Sequence, residues 1–138
     1  MNNREIKFRA WDGKKMFNSD SQIGGLWSFN VFNGNPELKD GWELMQFTGL
    51  RDKNREPIYE GDILEVNAIV ETSESYFEEP IESNQCIICE VFYNLCVGGF
   101  DLRTIEKDLH LSQYCLMDDC QKEYEVIGNI YENPELLK

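Results

Sequence analysis

The sequence predicts a mainly β fold, either a small antiparallel barrel or a strongly bent sheet, with one or two short helical segments. Three observations carry that expectation. Seven or eight short runs of β-branched and aromatic residues recur along the 138 residues, with Gly, Pro, Asn and Asp turn signals between them. No sustained alternation of strand and helix periodicity is present, which argues against a parallel Rossmann-type sheet. The segment Gln46 to Val66 reads as strand, turn and strand around closely spaced Gly and Asp residues.

The elements follow in chain order. Ile6, Phe8 and Ala10 alternate with Lys7, Arg9 and Trp11, the period of a half-buried strand. Asp12-Gly13 accepts the positive φ of a tight hairpin turn, so Lys14 to Phe17 is the expected return strand. Asn18 to Gly25 is a polar loop, and Leu26 to Phe32 an aromatic-rich strand ended by Asn33-Gly34-Asn35-Pro36. Trp42 to Thr48 is the next strand, and Gly49 to Pro57 a turn-rich connection. Gly61 supplies a turn conformation that other residues resist, Asp62 caps that turn, and a strand starts at Ile63.

Glu71 to Asn84 holds five glutamates, no base and Pro80, and reads as a solvated loop or a long hairpin tip. Cys86 to Tyr93 is a buried strand that Gly98-Gly99 breaks. Thr104 to Leu111 fits a short helix capped by Thr104 or a strand in which Leu109 and Leu111 alternate. Glu123 to Tyr131 is the last strand. Asn133-Pro134 then opens one helical turn, with Asn as N-cap and Pro at the first helical position.

Residues 1–138 read as one domain, with no internal repeat and no linker, and long enough for a real core without disulfides or metals. No run approaches the ~18 apolar residues of a membrane helix, and the polar start lacks a signal-peptide stretch, so a cytoplasmic protein is expected. The formal charge is −13, and it is uneven: residues 1–69 carry −2 and residues 70–138 carry −11. Such a surface repels phosphate and disfavours direct nucleic-acid binding. It suits a basic partner, or simply maintains solubility.

Three blocks stand out: Phe8 to Met16 (FRAWDGKKM), Met45 to Asn54 (MQFTGLRDKN) continuing to Ile58 to Ile63 (IYEGDI), and Val126 to Leu137 (VIGNIYENPELL). Together they resemble the YopX family of phage and prophage proteins. The resemblance implies a β-barrel-type fold and a setting in phage-derived genomes of a bacterial host cell. It carries over no catalytic residue. The family commonly has glycine after the Asp-Lys-Asn run, where this chain has Arg55, so Asn54 is expected to take the left-handed position instead. The acidic stretch falls in the family's variable middle.

Few residues point to chemistry. Cys86, Cys89, Cys115 and Cys120 are enough thiols for a tetrahedral zinc site, with Cys96 left over. Cys86 and Cys89 are three apart on a strand, however, which places them on opposite faces. Buried free cysteines are the plainer reading. His110 is the single histidine, and no nucleophile context accompanies it. Asp52, Glu60 and Asp62 can do acid–base work or hold a hard cation. Turn capping explains them more simply. Gly49, Gly61 and Gly128 lack the spacing of a phosphate loop. Trp11, Trp27, Trp42 and the other aromatics suit core packing, or a stacking platform beside Arg4, Lys7, Arg9, Lys14 and Lys15.

The expectation is therefore no catalytic, cofactor or metal site, and a non-enzymatic accessory module. It would act through a protein partner or through self-association, with a homo-oligomer as one form. The alternatives are an acidic nucleic-acid-mimicking decoy for a basic host protein and, third, a metal-binding enzyme.

Overall fold

The computed structural model describes residues 5–18, 27–29, 36–38, 41–72, 81–104 and 124–138; for 27–29, 36–38, 68–72 and 81–83 the description is of backbone alone. These residues form strands β1 (Phe8–Trp11), β2 (Met16–Phe17), β3 (Trp27–Phe29), β4 (Pro36–Leu38), β5 (Glu43–Arg51), β6 (Pro57–Tyr59), β7 (Asp62–Thr72), β8 (Ile81–Asn94), β9 (Gly99–Thr104) and β10 (Tyr124–Asn129), and one 3-10 turn (Pro134–Leu137). Every strand pairing among them is antiparallel. One sheet has the order β2-β1-β5-β6, a second β10-β7-β8-β9, and β3 pairs with β4. The fold is mainly β, a curled half-barrel beside a second sheet.

The first hairpin forms because Gly13 takes φ +96°. Asp12 Oδ1 then accepts the backbone N–H groups of Lys14 (2.7 Å) and Lys15 (2.6 Å). Those bonds hold the Asp12 carboxyl below its usual range. The register sets Ala10 opposite Phe17 and Trp11 opposite Met16. The return strand is only Met16–Phe17, because Lys14 and Lys15 belong to the turn.

The core lies mainly on one face of the second sheet, where period two brings Leu64 and Val66, then Ile87, Cys89 and Val91, to the same side. Leu102 and Tyr124 complete that face, and Ile58 reaches it from the first sheet. Cys86 is exposed and Cys89 buried, as opposite faces of one strand require.

Several elements differ from expectation. The stretch Glu71 to Asn84, expected as a solvated loop or a long hairpin tip, lies in the β7–β8 hairpin and is partly strand: β7 runs to Thr72 and β8 starts at Ile81, with Glu71 opposite Glu82 in the ladder. Backbone pairing along ten consecutive residue pairs outweighs the like charges there. β4 starts at Pro36, whose missing N–H hid it as a strand, and β9 starts at Gly99, read from sequence only as a breaker. Arg55, not Asn54, takes the left-handed conformation (φ 67°). Its N–H donates to Asp52 O at 2.9 Å, closing the turn one residue later. Arg9, expected on the outer face of its strand, is buried at 7 % exposure, whereas Ile6 is 62 % exposed. Beyond Thr104, the segment to Leu111 lies outside the described residues.

At the C-terminal end, Asn133 precedes the 3-10 turn but makes no side-chain cap bond. Its Oδ1 instead accepts the N–H of Asn129 at 3.3 Å, reaching back over Gly128. A Cβ on Gly128 would stand 2.6 Å from Asn133 Oδ1 and 3.0 Å from Asn133 Cβ. Rotating the amide does not clear the second contact. Gly128→Ala is expected to lower unfolding stability by about 1–3 kcal/mol, as overpacking does. Denaturant titration of Gly128→Ala alone and combined with Asn133→Gly checks this, because the double variant should recover part of the loss.

Candidate functional site at the junction of the sheets

The turn Tyr59-Glu60-Gly61-Asp62 carries the chain from the first sheet to the second. Gly61 takes φ +82°, which lets the chain reverse. Its N–H donates to Val91 O (2.8 Å) on β8, and its carbonyl accepts the N–H of Ile130 (2.9 Å) beyond β10. The N–H of Glu60 donates to Gln46 O (2.9 Å) on β5. Asp62 Oδ2 accepts the N–H of Tyr59 at 2.8 Å, which is the cap expected of it.

The other oxygen of Asp62 meets a cation that the sequence did not announce. Arg9 Nη2 stands 2.6 Å from Asp62 Oδ1, and both side chains are buried. The contact is a close ion pair whose N–H direction is poor for a hydrogen bond, and among the described residues Oδ1 has no other partner. Arg9 Nη2 also donates to Glu60 O at 3.3 Å, Nε faces Met45 Sδ at 3.3 Å, and the guanidinium carbon lies 4.7 Å from the Tyr59 ring centroid. Burial pushes the Asp62 carboxyl up to about 6, against the pull of Arg9 and the Tyr59 N–H.

Asp52 makes a second junction. Its Oδ1 accepts the N–H groups of Asn54 (2.8 Å) and Glu56 (2.9 Å), and its Oδ2 accepts the N–H of Val126 (2.9 Å) on β10. β10 is bulged between Val126 and Gly128, where the ladder to β7 shifts. The N–H of Lys53 donates to Tyr124 O at 2.9 Å, and Lys53 forms an ion pair with Glu125 that raises the lysine's proton affinity. Of the acidic trio, then, Asp52 and Asp62 each organise a turn and Glu60 contributes its backbone. In place of the missing β5–β6 ladder bonds, the Thr48 hydroxyl donates to Ile58 O (2.8 Å) and accepts the N–H of Leu50 (3.2 Å), around Gly49 at φ +90°.

A cleft of about 710 Å3 opens between the sheets, lined by Lys7, Phe8, Arg9, Asn18, Glu56, Pro57, Tyr59, Asp62 and Val126. Beside it Trp11 stacks on Tyr131 with ring centroids 5.9 Å apart. Lys14, Lys15, Met16, Asn18 and Glu132 join those two rings around a shallower hollow. Phe17 packs on Trp42 at 5.1 Å, and Lys15 lies over Phe17. Lys7 pairs with Glu5 and lies over Phe47. The basic residues proposed to flank a stacking platform are thus divided: Arg9 is inside with Asp62, Lys7 faces the cleft, and Lys14 and Lys15 border the hollow. Arg4, His110, Cys115, Cys120 and the Trp27 side chain lie outside the described residues. Among the described residues, no three His, Cys, Asp or Glu side chains converge as metal ligands would.

Comparison with known proteins is consistent across sequence and structure. The family described as YopX protein matches residues 7–138. The chain belongs to the YopX family. A solved structure similar to this chain is that of protein EF1440 from Enterococcus faecalis, which is 30 % identical, with a TM-score of 0.54 over 97 % of this chain and 99 % of that one. No curated protein matches the chain. The blocks that carried the resemblance are the parts of this YopX chain that build the two junctions: Asp52, the Tyr59–Asp62 turn, and Gly128 to Asn133. Among the described residues no helix is long and apolar enough to cross a membrane.

The Arg9–Asp62 pair was missed in the sequence because its members are 53 positions apart. The available signal was weak: an arginine between Phe8 and Ala10 in a short strand. The β8–β9 hairpin was missed for another reason. Its Leu95, Cys96 and Val97 fall in a turn, where sequence patterns give apolar residues no role. Four large apolar side chains are exposed among the described residues, and three of them, Tyr93, Leu95 and Val97, lie on this hairpin.

Proposed function

We propose that this YopX protein is a non-enzymatic binding module that docks a basic protein partner through the tip of the β8–β9 hairpin. The observation that carries this reading is the fixed presentation of apolar groups there. Leu95 is 87 % exposed and Val97 61 %. The turn that holds them is not loose: Asn94 Oδ1 accepts the N–H of Cys96 (3.0 Å), Asn94 O accepts that of Gly98 (2.9 Å), and Asn94 Nδ2 donates to Asp101 Oδ2 (3.0 Å). Tyr93 and Phe100 pack edge to face below it. A preorganised apolar knob loses little entropy on docking, and clustered exposed apolar groups mark interaction sites.

Charge selects the class of partner. The hairpin belongs to residues 70–138, which carry −11. A second copy of a −13 chain is repelled, whereas a basic protein is steered inward. The acidic-decoy reading shares this charge argument but needs no apolar knob, and the knob favours specific docking.

The test is capture from bacterial lysate with immobilised wild type and with Leu95→Asp/Val97→Asp, each at low and high salt. Both positions are exposed, so the variant is expected to fold. Retention of basic proteins by the wild type, weakened at least tenfold by the substitutions and reduced by salt, is the expected result. Equal capture by the variant, or capture insensitive to salt, overturns the proposal.

A further inference from the structure

We propose that the shallow hollow beside Trp11 and Tyr131 binds a neutral pyranose sugar, with the C–H face of the sugar against the aromatic pair and its hydroxyl groups on the polar side chains around it. This goes beyond the docking role of the β8–β9 hairpin and rests on different residues.

The inference starts from two turns of the same kind. Asp12 Oδ1 accepts the N–H groups of Lys14 and Lys15, two and three positions along the chain. Asn129 Oδ1 accepts those of Tyr131 (3.1 Å) and Glu132 (2.9 Å) at the same offsets. Each turn is thereby fixed from within. The stack of Trp11 on Tyr131, with ring planes 22° apart, brings the two turns together. They border a hollow of about 490 Å3. Both rings are half-buried there, whereas Lys14, Lys15, Asn18 and Glu132 are exposed. The indole N–H of Trp11, the Lys14 ammonium, the Asn18 amide, the Tyr131 hydroxyl and the Glu132 carboxylate have no hydrogen-bond or ion-pair partner among the described residues. The larger cleft differs, because there Lys7 pairs with Glu5 and Arg9 with Asp62.

Charge sets the ligand class. Lys14 and Lys15 stand against Asp12 and Glu132, two cations against two carboxylates. Burial, then the charges of Glu43 and Glu60, raises the Tyr131 hydroxyl, which stays a neutral donor and acceptor. An added anion is repelled by those carboxylates, and an added cation by the two lysines. A neutral ligand avoids both penalties. Open donors and open acceptors around one aromatic pair match a molecule with an apolar face and a hydroxyl rim. A pyranose ring has both. A shallow site suits it as well, because hydroxyl groups turned away from the protein keep their water.

Methyl β-D-glucopyranoside is the probe. Glycerol serves as a polyol without a ring, and the corresponding methyl glucuronide as the anion. Binding is followed by nuclear magnetic resonance on the full chain, reading the indole N–H of Trp11 and the backbone amides of Lys14, Tyr131 and Glu132. Saturable shifts at these groups with a Kd of about 1–10 mM are expected for the glucoside. The glucuronide should bind at least about threefold more weakly, and glycerol should give no saturation. Glu132→Ala removes an exposed acceptor and leaves both rings in place, so it should fold and weaken the glucoside about three- to tenfold. Trp11→Leu, read from the amides, should weaken it further, by about tenfold or more. Absence of saturable shifts at the hollow overturns the proposal. So do equal shifts with glycerol, tighter binding of the glucuronide, or an affinity unchanged in Glu132→Ala.

Discussion

Replacing Asp52 with alanine is expected to lower unfolding stability by about 4 kcal/mol or more. The carboxylate is buried and accepts three backbone N–H groups, from Asn54, Glu56 and Val126. A hydrogen bond to a charged group contributes roughly 1.5–3 kcal/mol, and a buried N–H left without a partner costs about 1–3 kcal/mol. The three bonds share one residue, so their losses do not simply add. Asp52→Asn keeps an acceptor but replaces the other oxygen with a donor that faces an N–H. It should therefore recover only part of the stability. Chemical denaturation of both variants checks the ranking, and a loss below about 1 kcal/mol for Asp52→Ala would show that water replaces the carboxylate with little penalty. Hydrogen exchange offers a local reading, since the amides of Glu56 and Val126 should lose protection together although they belong to different elements.

Asp62→Ala is expected to cost about 3–5 kcal/mol at neutral pH, the range for breaking a buried ion pair by removing one member. It leaves Arg9 charged and buried, and removes the acceptor for the Tyr59 N–H. Arg9→Met tests the same pair from the other side, with a volume close to the one removed. The wild type should also show a distinctive dependence on pH. The Asp62 carboxyl stands at about 6 in the folded chain, above its ordinary value of 3.8. Between those two values the folded state holds a proton that the unfolded state has released. Stability from this group is therefore fully present below the unfolded value and is lost as pH rises through about 6. The span corresponds to about 3 kcal/mol. Glu5 and Asp12, held below their usual range, act with the opposite sign, so the difference between wild type and Asp62→Asn isolates the term. Denaturant titrations at about pH 4.5 and about pH 7.5 read the larger part of it, about 2 kcal/mol. A slope unchanged in Asp62→Asn would show that the guanidinium of Arg9 keeps the carboxylate ionised.

These two residues also show how far the sequence reaches. The Asp-Gly turns, the strand runs and the cap at Asp62 were legible because their physics is local: a glycine at positive φ, a carboxylate a few residues from the N–H it accepts. The partners of the same carboxylates were not. Asp52 binds Val126 across 74 positions, and Asp62 meets Arg9 across 53. Nothing in local periodicity encodes such pairings. β4 and β9 escaped because Pro36 and Gly99 open them, and both residues signal breaks when only their neighbours are considered. Arg55 took the left-handed position because the bond from its own N–H to Asp52 O fixes the turn, which outweighs the better intrinsic tolerance of Asn54. The exposure of Leu95 and Val97 was hidden for the converse reason: composition alone assigns apolar side chains to the interior.

The bonds from Val126, Tyr124 and Ile130 to the two central turns bear on how the protein is made. Asp52 Oδ2, the N–H of Lys53 and the carbonyl of Gly61 all find their partners in residues 124–130. While a ribosome is still adding those residues, both turns can close on their local bonds, but Asp52 Oδ2, the N–H of Lys53 and the carbonyl of Gly61 have yet to meet these partners. The first sheet can pair through β5 and β6, and the Arg9–Asp62 pair and the bond from Gly61 N–H to Val91 O can already join the sheets, but the bonds from residues 124–130 are added last. Translation thus completes the joint between the sheets last. A chain released early, before Tyr124, would be expected to keep its hairpins and hold its two sheets together less firmly.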